Sequence, residues 1–452
     1  MQEIRSALGL TGGPAAITRG PILPSRFDVT GLLAASVAAV GDALADLIVA
    51  IGAAPAPPAV SVDARLASLW AGRSISPVGW DLPPVWDAVA GDYRTRDGWI
   101  KLHTNLAHHR KAALGVLNAP VDRDAVAKAV ATWNKDALEA AIVAAGGVAA
   151  AMRSRSEWHS HRQGAAVAAE PLVHWDTPFP APKAHWDWRA ERPLAGLRVL
   201  DLTRVLAGPV STRTLAGFGA DVLRVDPPGW DEANVVPDIT LGKRCTTLDL
   251  SDPDHRATFE TLVQGADLLV HGYRPDAIAG LGYDPRTLQA LRPGLIEVTL
   301  DAYGWTGPWA ERRGFDSLVQ MSCGIAHAGM EWAGADRPTP LPVQALDHAT
   351  GYLMAAAALV LLRRSVTGGG AGRARLSLAR TGELLCAHRQ GTVGTLGLDH
   401  GMDDYTHTTE PTPWGPARRL RPALSVGGAA MVWDRPAADL GSSQPEWPDT
   451  PA

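Results

Sequence analysis

Asp347 stands at the head of a long apolar stretch. It follows Pro342-Val343-Gln344-Ala345-Leu346 and leads into His348-Ala349-Thr350-Gly351-Tyr352. A carboxylate at a helix start can accept hydrogen bonds from the free N–H groups there, as a cap. The same helix end favours its ionised form, so capping and chemistry are compatible. A second group of residues suits phosphate. Ala207-Gly208-Pro209 reads as a turn into a helix, with proline suited to the first turn. Free N–H groups and the helix dipole at such a start favour an anion. Lys243, Arg244 and Arg274 supply positive charge. Asp226 ends an apolar run, where an acid can accept from a ribose hydroxyl. Taken singly, each cation also fits a solvated surface. The glycines do not form G-x-G-x-x-G, so NAD or FAD binding is not supported.

These groups need a frame. Strands are expected at 197–202, 221–226, 266–271 and 294–300. Helices are expected from 207 to about 218, at 255–263 and at 285–290. Strands alternating with helices argue for an α/β fold, a doubly wound, mostly parallel, Rossmann-like sheet. Upstream, 32–51 and 123–145 read as helices, and Asp97-Gly98-Trp99-Ile100-Lys101-Leu102 as a turn entering a strand. That pattern predicts a smaller α+β domain. Proline-rich 53–58 and 177–193 mark boundaries. The chain then divides into an N-terminal region 1–176, a linker 177–193, a sheet domain 194–385 and a C-terminal segment 386–452. Its last stretch, 441–452, reads as a loose tail.

An internal repeat is also visible. Asp28-Val29-Thr30-Gly31-Leu32 opens one apolar helix, which leads through a Gly/Pro loop to Val60-Ser61-Val62. Asp347 opens another, which leads through Gly368-Gly369-Gly370 to Leu376-Ser377-Leu378. The two units read as a partial duplication, or as chance likeness between Ala-rich helices.

Composition narrows the function classes. Of 452 residues, 46% are hydrophobic and 20% charged, an ordinary globular balance. A net charge of −5 gives no general attraction to nucleic acid. Cys245, Cys323 and Cys386 are far apart and odd in number. They predict no disulfide framework and no metal cluster, and a reducing cytoplasm is the expected setting. The N-terminus opens no signal-peptide core. The apolar runs 40–51 and 351–362 fall short of the roughly 20 residues that span a membrane, so both are expected as buried helices. His103, His108, His109, His159 and His161 lack metal-ligand spacing. Ser211 and Ser317 lack a visible His/Asp relay.

The stretch PLAGLRVLDLTRVLAGPVSTRTLAGFGADVLRVD at 193–226 resembles the opening of family III CoA-transferases, relatives of carnitine dehydratase and bile-acid CoA-transferase. The similarity continues through Gly242-Lys243-Arg244, Ala266-Asp267-Leu268-Leu269-Val270, Tyr273-Arg274-Pro275, Gly304-Trp305-Thr306-Gly307-Pro308 and Gly314-Phe315-Asp316. It runs from about 193 to 380. It implies coenzyme A or an acyl-CoA as substrate, a carboxylic acid partner and a homodimer. It implies a CoA site including Arg204, Ala207, Gly208, Pro209, Asp226, Lys243, Arg244, Tyr273, Arg274 and Arg313. Asp347 matches the family's nucleophile, which carries mixed anhydrides and an aspartyl-CoA thioester in turn. Phe315 replaces the histidine of related acyl-CoA racemases and cannot transfer a proton, which disfavours racemisation. Gly272-Tyr273 departs from the usual Asn-Phe pair, and His271 from the acid commonly before it. Arg204 and Leu206 replace the His and Gln of formyl-CoA transferases. A racemase- or dehydratase-like member and a non-catalytic CoA-binding subunit are the alternatives. The order is expected to be permuted, with 1–176 as the remnant of an upstream copy supplying the small domain, and Asp28 as a non-catalytic counterpart of Asp347.

Overall fold

Seven strands form the main sheet of the computed structural model, which describes residues 2–18, 20, 22–273, 275–388, 397 and 399–448. In chain order they are β1 (His174–Trp175), β2 (Arg198–Leu202), β3 (Asp221–Asp226), β4 (Lys243–Thr247), β5 (Leu268–His271), β6 (Ile296–Asp301) and β7 (Arg373–Ser377). Their spatial order is β4-β3-β2-β5-β6-β7-β1. The first six are mutually parallel, and β1 lies antiparallel on β7. Every residue of β3 and β5 is buried, as expected for parallel strands covered on both faces. The order reverses between β2 and β5. The connections leaving their C-terminal ends therefore diverge, and a crevice opens there.

Four helices position the site: α1 (Val29–Ala50), α2 (Ala207–Gly217), α3 (Asp316–Ser322) and α4 (Ala345–Val366). α4 packs along both α1 and α2. Gly351 permits the second contact, because a Cβ there would lie 2.3 Å from the Ala207 carbonyl oxygen. That close approach brings the start of α4 beside the start of α2. The apolar runs expected to be too short for a membrane belong to helices of 22 residues each. Both are long and apolar enough to cross a membrane by length and composition, and both are buried in the protein. Asp42 and Asp46 do not interrupt α1, because Arg5 and Arg363 pair with them.

Residues 91–151 form the smaller α+β unit. Gly91–Arg94, Trp99–Leu102 and Ala149–Ala151 make an antiparallel sheet covered by three helices. The expected single helix over 123–145 is two, Arg123–Val130 and Lys135–Ala144. Asp97 from the hairpin turn accepts from the Lys135 N–H at 2.8 Å and starts the second helix afresh. The C-terminal segment returns to the N-terminus: Leu424–Val426 pairs with Val60–Val62, and Gly415–Leu420 with Ile75–Pro77. Of the expected loose tail, the described part is packed. The Trp447 indole donates to the Leu262 carbonyl at 2.8 Å, and the Ser443 N–H to Cys245 at 2.7 Å. Residues 449–452 lie outside the described residues.

Candidate active site

α4 begins at Ala345, so Asp347 is its third residue and does not cap it. The capping carboxylate is Asp316, the first residue of α3. It is buried, and its Oδ2 accepts from the backbone N–H groups of Leu346 at 2.9 Å and Asp347 at 3.0 Å. Gln320 Nε2 donates to its Oδ1, and Gln320 Oε1 accepts from the Leu341 N–H at 2.8 Å. Asp316 thus occupies the anion site at the α4 N-terminus. The Asp347 side chain is left free to face open space. Asp28 behaves differently: it sits just outside α1 and caps it, accepting from Gly31 at 2.8 Å.

Asp347 is 5% exposed and lines two adjoining cavities. Burial pushes its pKa well above the usual 3.8, and the charge of Asp316 adds to the rise. Burial also lifts Asp316 to about 6, against the opposing hydrogen bonds from the Asp347 N–H and Gln320. Two acids sharing one dry site resist ionising together.

The larger cavity, about 430 Å³, is the crevice at the C-terminal ends of β2, β5 and β6. It is lined by Arg204–Ala207 after β2, Gly272-Tyr273 after β5, and Asp301-Ala302. Val205 adopts φ 64°, the left-handed region, which costs a β-branched residue about 1–3 kcal/mol. The Glu232 carboxylate holds it there, accepting from its N–H at 2.8 Å. Gly208 is required where the loop turns, since a Cβ would lie 2.3 Å from the Thr203 Cβ. Arg204 donates to the Tyr273 hydroxyl at 2.8 Å, and its guanidinium lies 4.5 Å from the Trp230 ring and 5.1 Å from the Tyr273 ring. Arg204, Ala207, Tyr273 and Arg313 all line this crevice.

Other expected site residues are placed elsewhere. Gly208 and Pro209 are buried in the first turn of α2. Lys243 is 1% exposed, and its ammonium is spent on Asp201 at 2.9 Å and the Pro209 carbonyl at 3.1 Å. Asp226 is buried with both oxygens accepting from Arg224, so it is not presented to a ribose. Arg244 lies near the start of β4, at the opposite end of the sheet, paired with Asp221 at 3.0 Å. In each case a nearby acid or base satisfied the charge first. Arg274 lies outside the described residues.

Several lining residues carried no sequence signal. Asp301 accepts from the Gly304 N–H at 2.8 Å through Oδ1, while Oδ2 has no partner. Burial raises its pKa well above the usual 3.8. The buried Trp230 N–H is likewise unsatisfied. The smaller cavity, about 70 Å³, lies between Asp347 and the upstream segment and is lined by Trp86, His103, Leu106 and Ser317. The His103 ring stacks on Phe315 at 4.1 Å between centroids, and its Nδ1 is 3.5 Å from the Ser317 hydroxyl. Burial lowers the His103 pKa to about 3, so the ring is neutral at ordinary pH. Nothing local could reveal this pairing, since the two residues are 214 apart in sequence. Among the described residues, no cluster of His, Cys, Asp and Glu suited to a metal is present.

Comparison with known proteins gives a consistent picture. Residues 194–399 match the family model described as CoA-transferase family III. The succinate–glutarate CoA-transferase of Agrobacterium fabrum is 34% identical over 198 residues, covering 39% of this chain and 49% of that protein. A probable fatty acyl-CoA transferase of Mycobacterium tuberculosis is 32% identical over 185 residues, covering 38% and 46%. The acetyl-coenzyme A transferase nodX of Hypoxylon pulicicidum is 33% identical over 216 residues, covering 47% and 36%. A crystal structure of the hypothetical protein Rv3272 of M. tuberculosis aligns over 43% of this chain and 57% of its own, with 30% identity and a TM-score of 0.40. The chain spans half or less of the length of these curated relatives.

Proposed function

Residues 194–399 belong to CoA-transferase family III, and from that premise we propose that the protein moves CoA from an acyl-CoA to a carboxylic acid through a thioester on Asp347. The observation that carries this reading is the position of Asp347. It is the carboxylate common to a crevice at the switch point of the sheet and a separate pocket beside it. The crevice suits the CoA moiety. The α2 start and the Arg204 and Arg313 side chains supply N–H groups and positive charge for phosphates.

The chemistry then runs in two symmetric halves. The ionised Asp347 attacks the donor thioester carbonyl and CoA leaves as thiolate, giving a mixed anhydride. The thiolate attacks the Asp347 carbonyl of that anhydride. The donor acid departs and an aspartyl-CoA thioester remains. The acceptor carboxylate attacks this thioester, again releasing thiolate and forming a second anhydride. Attack of the thiolate on the acceptor's acyl carbon yields the new acyl-CoA and restores Asp347. Burial serves each step, because it keeps water from the anhydrides.

The resemblance adds a homodimer and a cytoplasmic setting to this proposal. The permuted order belongs to it as well. It is supported by Leu106, Trp86 and His103, which come from the upstream region and line the pocket of the downstream nucleophile.

Incubation with succinyl-CoA or acetyl-CoA, followed by hydroxylamine and mass spectrometry, tests the reading. Modification at Asp347 is expected. Tight CoA binding with Asp347 untouched would leave a non-catalytic binder instead. A second expectation concerns pH. Asp316→Asn keeps an acceptor for the two N–H groups and removes one negative charge. Asp347 then ionises more easily, so the acid limb of kcat/KM moves to lower pH. A pH–rate profile with an unmoved limb would show that the two acids are not coupled.

A further inference from the structure

The cavity of about 70 Å³ beside Asp347 is also lined by His103, which takes no part in the covalent steps. Phe315, Asp316 and Ser317, consecutive residues at the start of α3, hold both groups in place. Phe315 stacks on the His103 ring, with centroids 4.1 Å apart and planes 9° from parallel. Asp316 accepts from the Asp347 N–H at 3.0 Å. The Ser317 hydroxyl lies 3.5 Å from His103 Nδ1. His103 directly follows the strand Trp99–Leu102, and its N–H donates to the Val148 carbonyl at 3.4 Å. The Trp86 ring lies across the imidazole, 5.5 Å between centroids and 80° between planes. Neighbours on several elements therefore fix the ring's plane and direction. Its two nitrogens differ. Nδ1 faces Ser317. Nε2 makes no hydrogen bond among the described residues, yet it is not sealed off, unlike both ring nitrogens of the neighbouring His109.

We infer that His103 is a catalytic residue: its Nε2–H opens on the cavity shared with Asp347 and donates to the oxygen of the acyl carbonyl that Asp347 attacks. The inference rests on the transferase reading of Asp347. When the carboxylate adds to the thioester carbon, the carbonyl π pair moves onto oxygen. A fixed donor aimed at that oxygen stabilises the new charge, more strongly in the transition state than before it. The C–S bond then breaks, its electrons leave on the thiolate and the C=O bond re-forms. The proton stays on Nε2 throughout. With Ser317 donating to Nδ1, the neutral ring carries its proton on Nε2. Burial holds the ring's pKa at about 3, so it donates without becoming a cation that would pair with Asp347 and blunt its attack. Trp86, Leu106 and Phe315 make the rest of the lining apolar around it, and a hydrogen bond is stronger in such surroundings.

The test uses the full chain and the rate of Asp347 modification by acetyl-CoA or succinyl-CoA with excess hydroxylamine. His103→Phe keeps a flat ring on Phe315 and removes the donor. It is expected to lower the saturated rate about 10²-fold or more, while the half-saturating acyl-CoA concentration stays within about twofold. His103→Gln, whose amide reaches the Nε2 position, is expected to recover most of the loss. An unchanged rate in the phenylalanine variant, or a glutamine variant equally slow, would overturn the inference. A second measurement needs no turnover. The same acyl-CoA, isotope-labelled at the carbonyl carbon, is bound to Asp347→Asn, and infrared spectroscopy reads its C=O stretch. A shift to lower frequency than in free acyl-CoA is expected, and its loss in the Asp347→Asn/His103→Phe double variant. An unshifted band, or a shift that persists without His103, overturns the inference. Failure of both donors to label wild-type Asp347 would remove the transferase reading itself, whereas labelling with an unshifted band removes only the part given to His103.

Discussion

Asp347→Asn is expected to lower the rate of CoA transfer by at least about 10³-fold, the scale seen when a covalent nucleophile is removed. The amide has the same shape but cannot form the anhydride. The same substitution is expected to stabilise the fold at neutral pH. Burial and the Asp316 charge raise the pKa of Asp347 above its usual 3.8, which is its value in an unfolded chain. A raised carboxylate favours the folded state fully below that value, and the advantage is lost as pH rises through the higher folded pKa. Near neutral pH the ionised form is therefore a cost that asparagine does not carry. Thermal unfolding at pH 5 and pH 8 reads this directly. The gap in Tm between variant and wild type should widen towards pH 8, in favour of the variant. A variant that keeps turnover removes Asp347 as nucleophile. A variant less stable at pH 8 removes the electrostatic account.

The second large effect is structural. A fragment of residues 191–452 is expected to show no cooperative unfolding transition and no activity, although it contains the whole family match. It lacks α1, which packs along α4. Val29, Leu32, Leu33, Val37, Val40, Leu44, Leu47 and Ile48 of α1 are all buried. At about 1.5–3 kcal/mol for each side chain, their burial matches or exceeds the ~5–15 kcal/mol net stability of a domain. The fragment also loses Val60–Val62 and Ile75–Pro77, the strands on which its own C-terminal segment pairs. Circular dichroism melting and gel filtration check the expectation. A soluble, fully active fragment would overturn the proposal that the upstream region supplies the missing domain.

Four of the seven sheet strands were legible because each is a short apolar run between turn signals, whereas His174–Trp175, Lys243–Thr247 and Arg373–Ser377 are short or carry charged residues. Asp221–Asp226 falls where the pattern put it, and Leu268–His271 and Ile296–Asp301 begin two residues later. The buried helix pair was legible as apolar runs, though their full length was not. Charged residues within and beside them hid the ends, because a neighbour such as Arg5 or Arg363 neutralises them only in the fold. The break near residue 131 was hidden for a similar reason: its cause is Asp97, distant along the chain.

Asp347 as the candidate nucleophile, and Arg204, Ala207, Tyr273 and Arg313 as crevice residues, could be named from the order of family-like motifs. Which charges were free to bind could not. Lys243, Asp226 and Arg244 look like cofactor ligands in sequence, yet each meets a counter-charge from another element or a strand neighbour. Conversely, Asp316 becomes the cap of a helix that begins 29 residues later, and His103 reaches the pocket from the upstream unit. Sequence alone determined the local periodicities and the family-like order of motifs, since these depend on side-chain type and near neighbours. Tertiary structure alone decided which polar groups are satisfied and which face open space. Pairing of charges and removal of water act through space, between residues that share no local pattern.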